Sequence, residues 1–152
     1  MTGAKRVSDS FTRQVQVLGQ QDLNGYGRLF GGRLMSWMDI VAAVAARRHT
    51  EKNVTTARVE GLEFRHPAHA NDLLQLNARV AYVGTSSMIV RVEAFVEQLN
   101  GETRLTNCAW FVMVALDENE KPAPVPKLLL ETEEEKRIWE EAKRLKESFG
   151  RK

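Results

Sequence analysis

At 152 residues, 43% of them hydrophobic, the chain has room for one domain with a sizeable core and not for two ordinary ones. Its 22 Lys and Arg against 20 Asp and Glu leave a net charge of +2, which argues against disorder and against a dedicated nucleic-acid binder. A single cysteine excludes an intramolecular disulfide, and the polar opening MTGAKRVSDS lacks the apolar run of a secretory signal, so a cytoplasmic setting is expected.

In chain order, residues 1–10 read as a polar tail and 11–120 as the domain proper. The alternation from Arg13 to Val17 predicts a half-buried strand. The stretch QDLNGYGRLFGG that follows, Gln21 to Gly32, packs four glycines and an Asn-Gly pair around Leu29 and Phe30, so the backbone there needs conformations that side chains disfavour. A helix of about four turns should begin at Gly31 or Gly32 and run to about His49, built from strong helix formers and small Ala and Val with no proline. Its most apolar part, Leu34 to Ala46, is interrupted by Ser36 and Asp39 and flanked by Arg33, Arg47 and Arg48. That is too short for the roughly 20 residues of a membrane span, and it reads as a buried helix.

Downstream the period drops to two, in Val54 to Phe64, Leu74 to Tyr82, Met88 to Val96 and Arg104 to Leu116, which predicts four strands. Their separators, FRHPAHAND, VGTSS and QLNGE, the last with an Asn100-Gly101 turn, predict that at least three form an antiparallel meander. Five antiparallel strands with one apolar face would wrap around the one helix apolar enough to fill it, giving an α+β domain. The proline-rich connector 121–130 should lead away from the sheet, and 131–152 reads as a solvated amphipathic helix, acids in its first turn and bases in its last.

The informative residue is Asp39. Between Phe30 and Ala46 only Arg33, Ser36 and Asp39 carry polar side chains, so a carboxylate sits near the middle of the helix that the sheet must wrap. Buried alone it would be costly, so it is paired with an arginine, faces a subunit boundary, or performs chemistry. Gly31 and Gly32 bring bare backbone N–H groups to the start of the same helix, where the dipole favours developing negative charge, as an oxyanion hole requires. Asn24, in the same loop, could bond a substrate carbonyl or a water, or fill a left-handed turn position. Other constellations are weaker. His66 and His69 flank Pro67 with no further ligand to complete a metal set, Cys108 sits among core residues, and the phosphate-loop and dinucleotide glycine spacings are absent.

The run from Asn24 to Asp39, NGYGRLFGGRLMSWMD, resembles the signature of the hotdog-fold acyl-coenzyme A thioesterases, the group that includes the YciA-type and brain-type hydrolases. The resemblance continues through AARRH, VTTARVEGLEFRHPA, VGTSSM and the tail PVPKLLLETEEEKRIWEEAKR, nearly the whole chain; Asn71-Asp72 departs from the usual Gly-Asp. It implies a hotdog, a long central helix wrapped by a five-stranded antiparallel sheet, paired edge to edge with a second copy. It further implies that Asp39 of one subunit and Asn24 of its partner meet at the thioester, with the Gly31 and Gly32 amides at the carbonyl. The activity so implied is hydrolysis of fatty acyl-CoA to free acid and coenzyme A, Asp39 acting as general base or as nucleophile, with neither metal nor cofactor. The turn Thr85, Ser86, Ser87 and the side chain of Arg65 would take the coenzyme moiety. The assembly would be a homodimer or a hexamer of three dimers, with no nucleic-acid or membrane partner. A non-catalytic acyl-CoA sensor on the same fold is the alternative.

Overall fold

The computed structural model describes residues 3–63 and 65–149. Phe64, at the end of the strand expected from Val54, and the outermost residues of the expected tail and C-terminal helix lie outside the described residues. The elements are β1 (Lys5–Arg6), α1 (Val7–Ser10), β2 (Thr12–Val17), a 3-10 turn (Gln20–Asp22), α2 (Gly31–Thr50), β3 (Asn53–Glu60), β4 (Leu73–Val83), β5 (Ser87–Glu97), β6 (Thr103–Leu116), β7 (Leu128–Leu129) and α3 (Glu133–Ser148).

β2 to β6 form one antiparallel sheet in the order β2-β4-β5-β6-β3, the hotdog arrangement, with α2 lying across one face. The period of two explains why: Leu74, Leu76, Ala78 and Val80 on β4, Val90, Val92 and Ala94 on β5, and Phe111 and Met113 on β6 all point to that face and are buried. Leu34, Met38, Val41, Ala42, Ala45 and Ala46 meet them from the helix. β4, β5 and β6 are the expected meander, and Gly101, at φ 90° with the Asn100 side chain accepting from the Glu102 amide, turns its second hairpin. β3 does not join β4. The segment after it crosses the end of the sheet beneath the glycine-rich loop, where the Leu29 amide donates to the Ala68 carbonyl at 2.7 Å, and β3 pairs instead with β6 at the far edge.

The segment 5–10, expected as a polar tail, and the connector, expected to lead away from the sheet, both dock on the domain. β1 pairs in parallel with β7, Val7 and Ser10 of α1 are buried, and the Ser10 hydroxyl oxygen accepts from the Val80 amide at 2.9 Å. Ala123 and Val125 of the connector are buried, and their amides bond the carbonyls of Ala115 and Thr85. These segments dock because short apolar residues interrupt otherwise polar runs, too sparsely to show as periodicity. α3 uses its narrow stripe: Ile138 and Ala142 pack on Ala81, Ile89 and Val112, whose parity places them on the sheet face opposite α2. Trp139 packs on Tyr82 in a tilted pair, ring centroids 4.4 Å apart and planes at 46°. No helix among the described residues is long and apolar enough to cross a membrane.

His49 ties these parts together. Fully buried at the end of α2, it holds the Pro126 carbonyl 2.8 Å from Nε2, while Nδ1 is buried with no partner among the described residues. Nε2 must therefore carry the proton and donate it, and the ring is neutral. Burial pushes its pKa below the ordinary 6.5. The unfolded chain then binds the proton more readily than the folded one, so the stability that neutral His49 contributes is complete above pH 6.5 and is lost as pH falls below it. The melting temperature should fall more steeply below pH 6.5 in the native protein than in His49→Gln, whose amide can donate to the same carbonyl but does not titrate. Parallel pH series of thermal unfolding read the difference.

Candidate active site

The sheet curls around only part of α2. Ser36, Met35 and Ile40 stand on the arc that it leaves bare, the last two 41% and 52% exposed, and Asp39 is half-buried at the margin of that arc. Among the described residues Asp39 has neither of the partners expected for a structural carboxylate, an arginine or a lysine. Its Oδ1 accepts a hydrogen bond of 2.6 Å from the hydroxyl of Thr56 on β3. β3 is an edge strand, with Thr55, Thr56, Ala57 and Arg58 exposed.

A bulge aims that hydroxyl. Between Thr56 and Arg58 two residues of β3 face one step of β6, so the inward positions are Val54, Thr56 and then Val59. Without it Arg58 would point at the helix; with it the guanidinium lies over the Phe149 ring, 4.0 Å from its centroid on the outer side. Thr56 was not legible as a site residue in the sequence. The alternation around it is broken by the bulge, and no local pattern marks which residue of the helix before it, 17 positions back, its hydroxyl will meet.

At the other end of the arc, α2 starts where the glycines place it. Phe30 is the N-cap, its carbonyl accepting from the amides of Arg33 and Leu34. The amides of Gly31 and Gly32 find no acceptor among the described residues, as the first turn of any helix leaves them. Asp22 anchors the turn: buried, it accepts from the Gly19 amide at 3.0 Å and pairs with Arg33 at 3.3 Å, while its carbonyl accepts from the Phe30 amide.

Asn24 shapes the loop between. Its Oδ1 accepts from the amides of Tyr26 and Arg28, and Gly27, at φ 75°, takes the left-handed turn position. The Nδ2 group of Asn24 has no partner among the described residues, so its donors are available to a ligand. Asn24 and Gly31 line a cavity of about 360 Å³, walled by buried Leu34, Ala68 and Leu74 and by Thr106 and Asn107, and rimmed by Arg28, Arg65 and His66. The Asn107 amide donates to the Glu63 carbonyl, which fixes one wall of it. A larger hollow, about 940 Å³, opens between Val44, Arg47, Lys52 and Leu116 at the opposite end of α2 and contains none of the expected site residues.

One chain does not bring these groups together. Asp39 lies two turns, about 12 Å, along α2 from Gly31, whereas a shared carbonyl needs both within about 3 Å. Arg65 stands at the cavity rim, exposed and paired with Glu63 at 2.7 Å, beside the start of β4. The turn Thr85, Ser86, Ser87 follows the end of β4, roughly 30 Å away. That turn has a cation that the sequence did not single out, the Lys146 ammonium of α3, which donates to the Ser87 hydroxyl at 2.9 Å. His66 lines the cavity while His69 sits beside Asp72, and no group of three metal-binding side chains forms among the described residues. Cys108 is half-buried in β6, and burial pushes its thiol up, away from reactivity.

The family model of the thioesterase superfamily matches residues 26–102. An uncharacterized acyl-CoA thioester hydrolase of Bacillus subtilis is 43% identical over 75% of this chain and 67% of its own length. The cytosolic acyl coenzyme A thioester hydrolase of Rattus norvegicus is 32% identical over 90% of the chain, which spans 37% of that longer protein. Among solved structures, the acyl-CoA hydrolase of Staphylococcus aureus, in complex with butyryl coenzyme A, coenzyme A and coenzyme A disulfide, superposes with a TM-score of 0.92 at 33% identity, covering 97% of this chain and 92% of that one. Variants of the same enzyme with an aspartate, a threonine or an asparagine changed to alanine are equally similar. A hexameric acyl-CoA thioesterase matches with a TM-score of 0.92 at 36% identity over 97% of this chain and 95% of its own. On sequence, fold and the placement of its helix, this chain belongs to the thioesterase superfamily, in its hotdog form.

Proposed function

We propose that the protein hydrolyses acyl-CoA thioesters to the free acid and coenzyme A, at a site built from two copies of the chain. The observation that carries the reading is the split itself: an uncovered carboxylate oriented by Thr56, and a helix N-terminus with free amides, too far apart on one chain to share a substrate. A second copy pairing its β3 against this β3 would cover the bare arc of α2, with Met35 and Ile40, and run the two helices side by side in opposite directions. The N-terminal end of one α2 then comes towards Asp39 of the other, as the resemblance implies. Support also comes from the relatives: their acyl-CoA hydrolase names, the coenzyme complexes, and the alanine variants, whose Asn-to-Asp and Asp-to-Thr spacings equal those from Asn24 to Asp39 and from Asp39 to Thr56.

In this reading the amides of Gly31 and Gly32 of one subunit polarise the thioester carbonyl, and the Asn24 Nδ2 group donates to the carbonyl or the attacking water. Asp39 of the other subunit takes a proton from that water as its oxygen bonds to the carbonyl carbon. Collapse of the tetrahedral intermediate breaks the C–S bond, and the proton passes to the departing thiolate. Water and thioester are the only reactants. The coenzyme's phosphates fall to the Thr85, Ser86, Ser87 turn with Lys146, and to Arg65; since one chain separates these by roughly 30 Å, different subunits of the assembly supply them. Hexameric relatives support three such dimers in the full assembly.

Thiol release from a series of acyl-CoA esters, acetyl to palmitoyl, tests the activity. Asp39→Asn should lower kcat by about 10²–10⁴, the usual contribution of a positioned base, with the fold and assembly intact. Binding across the series without turnover in the native protein would make it a sensor instead. The shared site has its own test. Asp39→Asn and Asn24→Ala subunits, each inactive alone, should recover activity when unfolded and reassembled together, to about a quarter of native, because half of the random pairs carry one intact site of two. No recovery would put both residues in one subunit's site.

A further inference from the structure

Thr56 has one hydroxyl proton and two acceptors in reach. Its Oγ1 lies 2.6 Å from Asp39 Oδ1 and 3.4 Å from the Sδ of Met113. A thioether can only accept, and so can a carboxylate while it is ionised. The sulfur is not there by the wandering of a loose side chain: Met113 stands opposite Thr56 in the β3–β6 register, faces Met88 on β5, and is fully buried. Beside an ionised carboxylate the sulfur is much the weaker acceptor, so the hydroxyl proton points at Asp39 in the resting site.

We propose that Met113 is a positioning residue, acting through Thr56: its sulfur receives the Thr56 hydroxyl while Asp39 holds the proton taken from water. The proposal rests on the reading of Asp39 as the base. Once protonated, the carboxyl has lost the charge that attracted the hydroxyl, and a proton on Oδ1 would meet the Thr56 hydrogen head on. Rotation about the Cβ–Oγ1 bond turns that hydrogen to Met113 Sδ, and the Thr56 oxygen is then free to accept from the new carboxylic acid. When the proton leaves with the thiolate, the hydroxyl turns back. No bond forms or breaks beyond the proton transfers of the hydrolysis itself. What the sulfur supplies is a partner for the hydroxyl at the one stage where Asp39 is a poor one, so the protonated intermediate forms more readily.

Met113→Leu tests this, since leucine conserves the buried volume and has no acceptor. The expected result is a kcat roughly two- to tenfold lower, the worth of one weak neutral hydrogen bond, with KM and melting temperature close to native. In a Thr56→Val background, where no hydroxyl remains, the same substitution should leave kcat where Thr56→Val alone puts it. A merely structural role for the sulfur would cost the same factor in both backgrounds. Met113→Ile repeats the cycle if the leucine variant unfolds. Native kcat in Met113→Leu, or equal losses with and without the Thr56 hydroxyl, overturns the inference and leaves the base in place; full turnover in Asp39→Asn removes the base on which it stands.

Discussion

A twenty-residue helix laid against a sheet of five strands buries one broad stripe and leaves the rest of its circumference bare. Nearly everything particular to this molecule follows from where the sheet stops. The inner face is filled by Leu34, Met38, Val41, Ala42 and Ala45 against the β4, β5 and β6 side chains, which fixes the rotation of α2 about its axis. With that rotation set, Asp39 cannot turn inward and Ile40 cannot be hidden by the same chain. The hydrophobic effect that makes the domain also determines which polar group stands at its open margin.

The margin is tuned by a single extra residue. The bulge at Ala57 keeps Val59 in the core, sends Arg58 to the aromatic ring of Phe149, and holds Thr56 inward beneath Asp39. A regular strand could satisfy two of these three demands at most. The outer layer depends on the same device, since α3 reaches β3 through the contact between Arg58 and Phe149 while its Ile138 and Ala142 rest on β4, β5 and β6.

Periodicity made the sheet and the central helix readable, because alternation sustained along β4 and β5 fits a strand with one buried face and does not fit a helix. It could not place β3, whose partner β6 is set by a crossover rather than by any local pattern. Nor could it show that residues 5–10 and the connector dock, for the signal there is a few small apolar residues such as Val7, Ala123 and Val125 in polar surroundings. Asp39, Gly31 and Gly32 stood out by composition, each anomalous in its neighbourhood. Thr56, Met113 and Lys146 did not, being ordinary residues for a strand or a charged helix that gain meaning only from what the fold sets beside them. The separation of Arg65 from the Thr85–Ser87 turn, by contrast, was already implicit in the strand expected from Leu74 to Tyr82, which runs between them as β4.

The parallel pairing of β1 with β7 has a bearing on how the chain is made. Lys5 and Arg6 take their strand partners from Leu128 and Leu129, more than a hundred residues on, and Val125 braces the carbonyl of Thr85 from the same late segment. The sheet and its central helix can assemble once β6 has emerged, but the clasp over the end of α2 must wait for the connector. Long-range closures of this kind form late and open early. Residues 5–10 are therefore made well before the strand that fixes them, and the turn that presents Thr85 to Ser87 takes its final support only after the connector has followed the sheet.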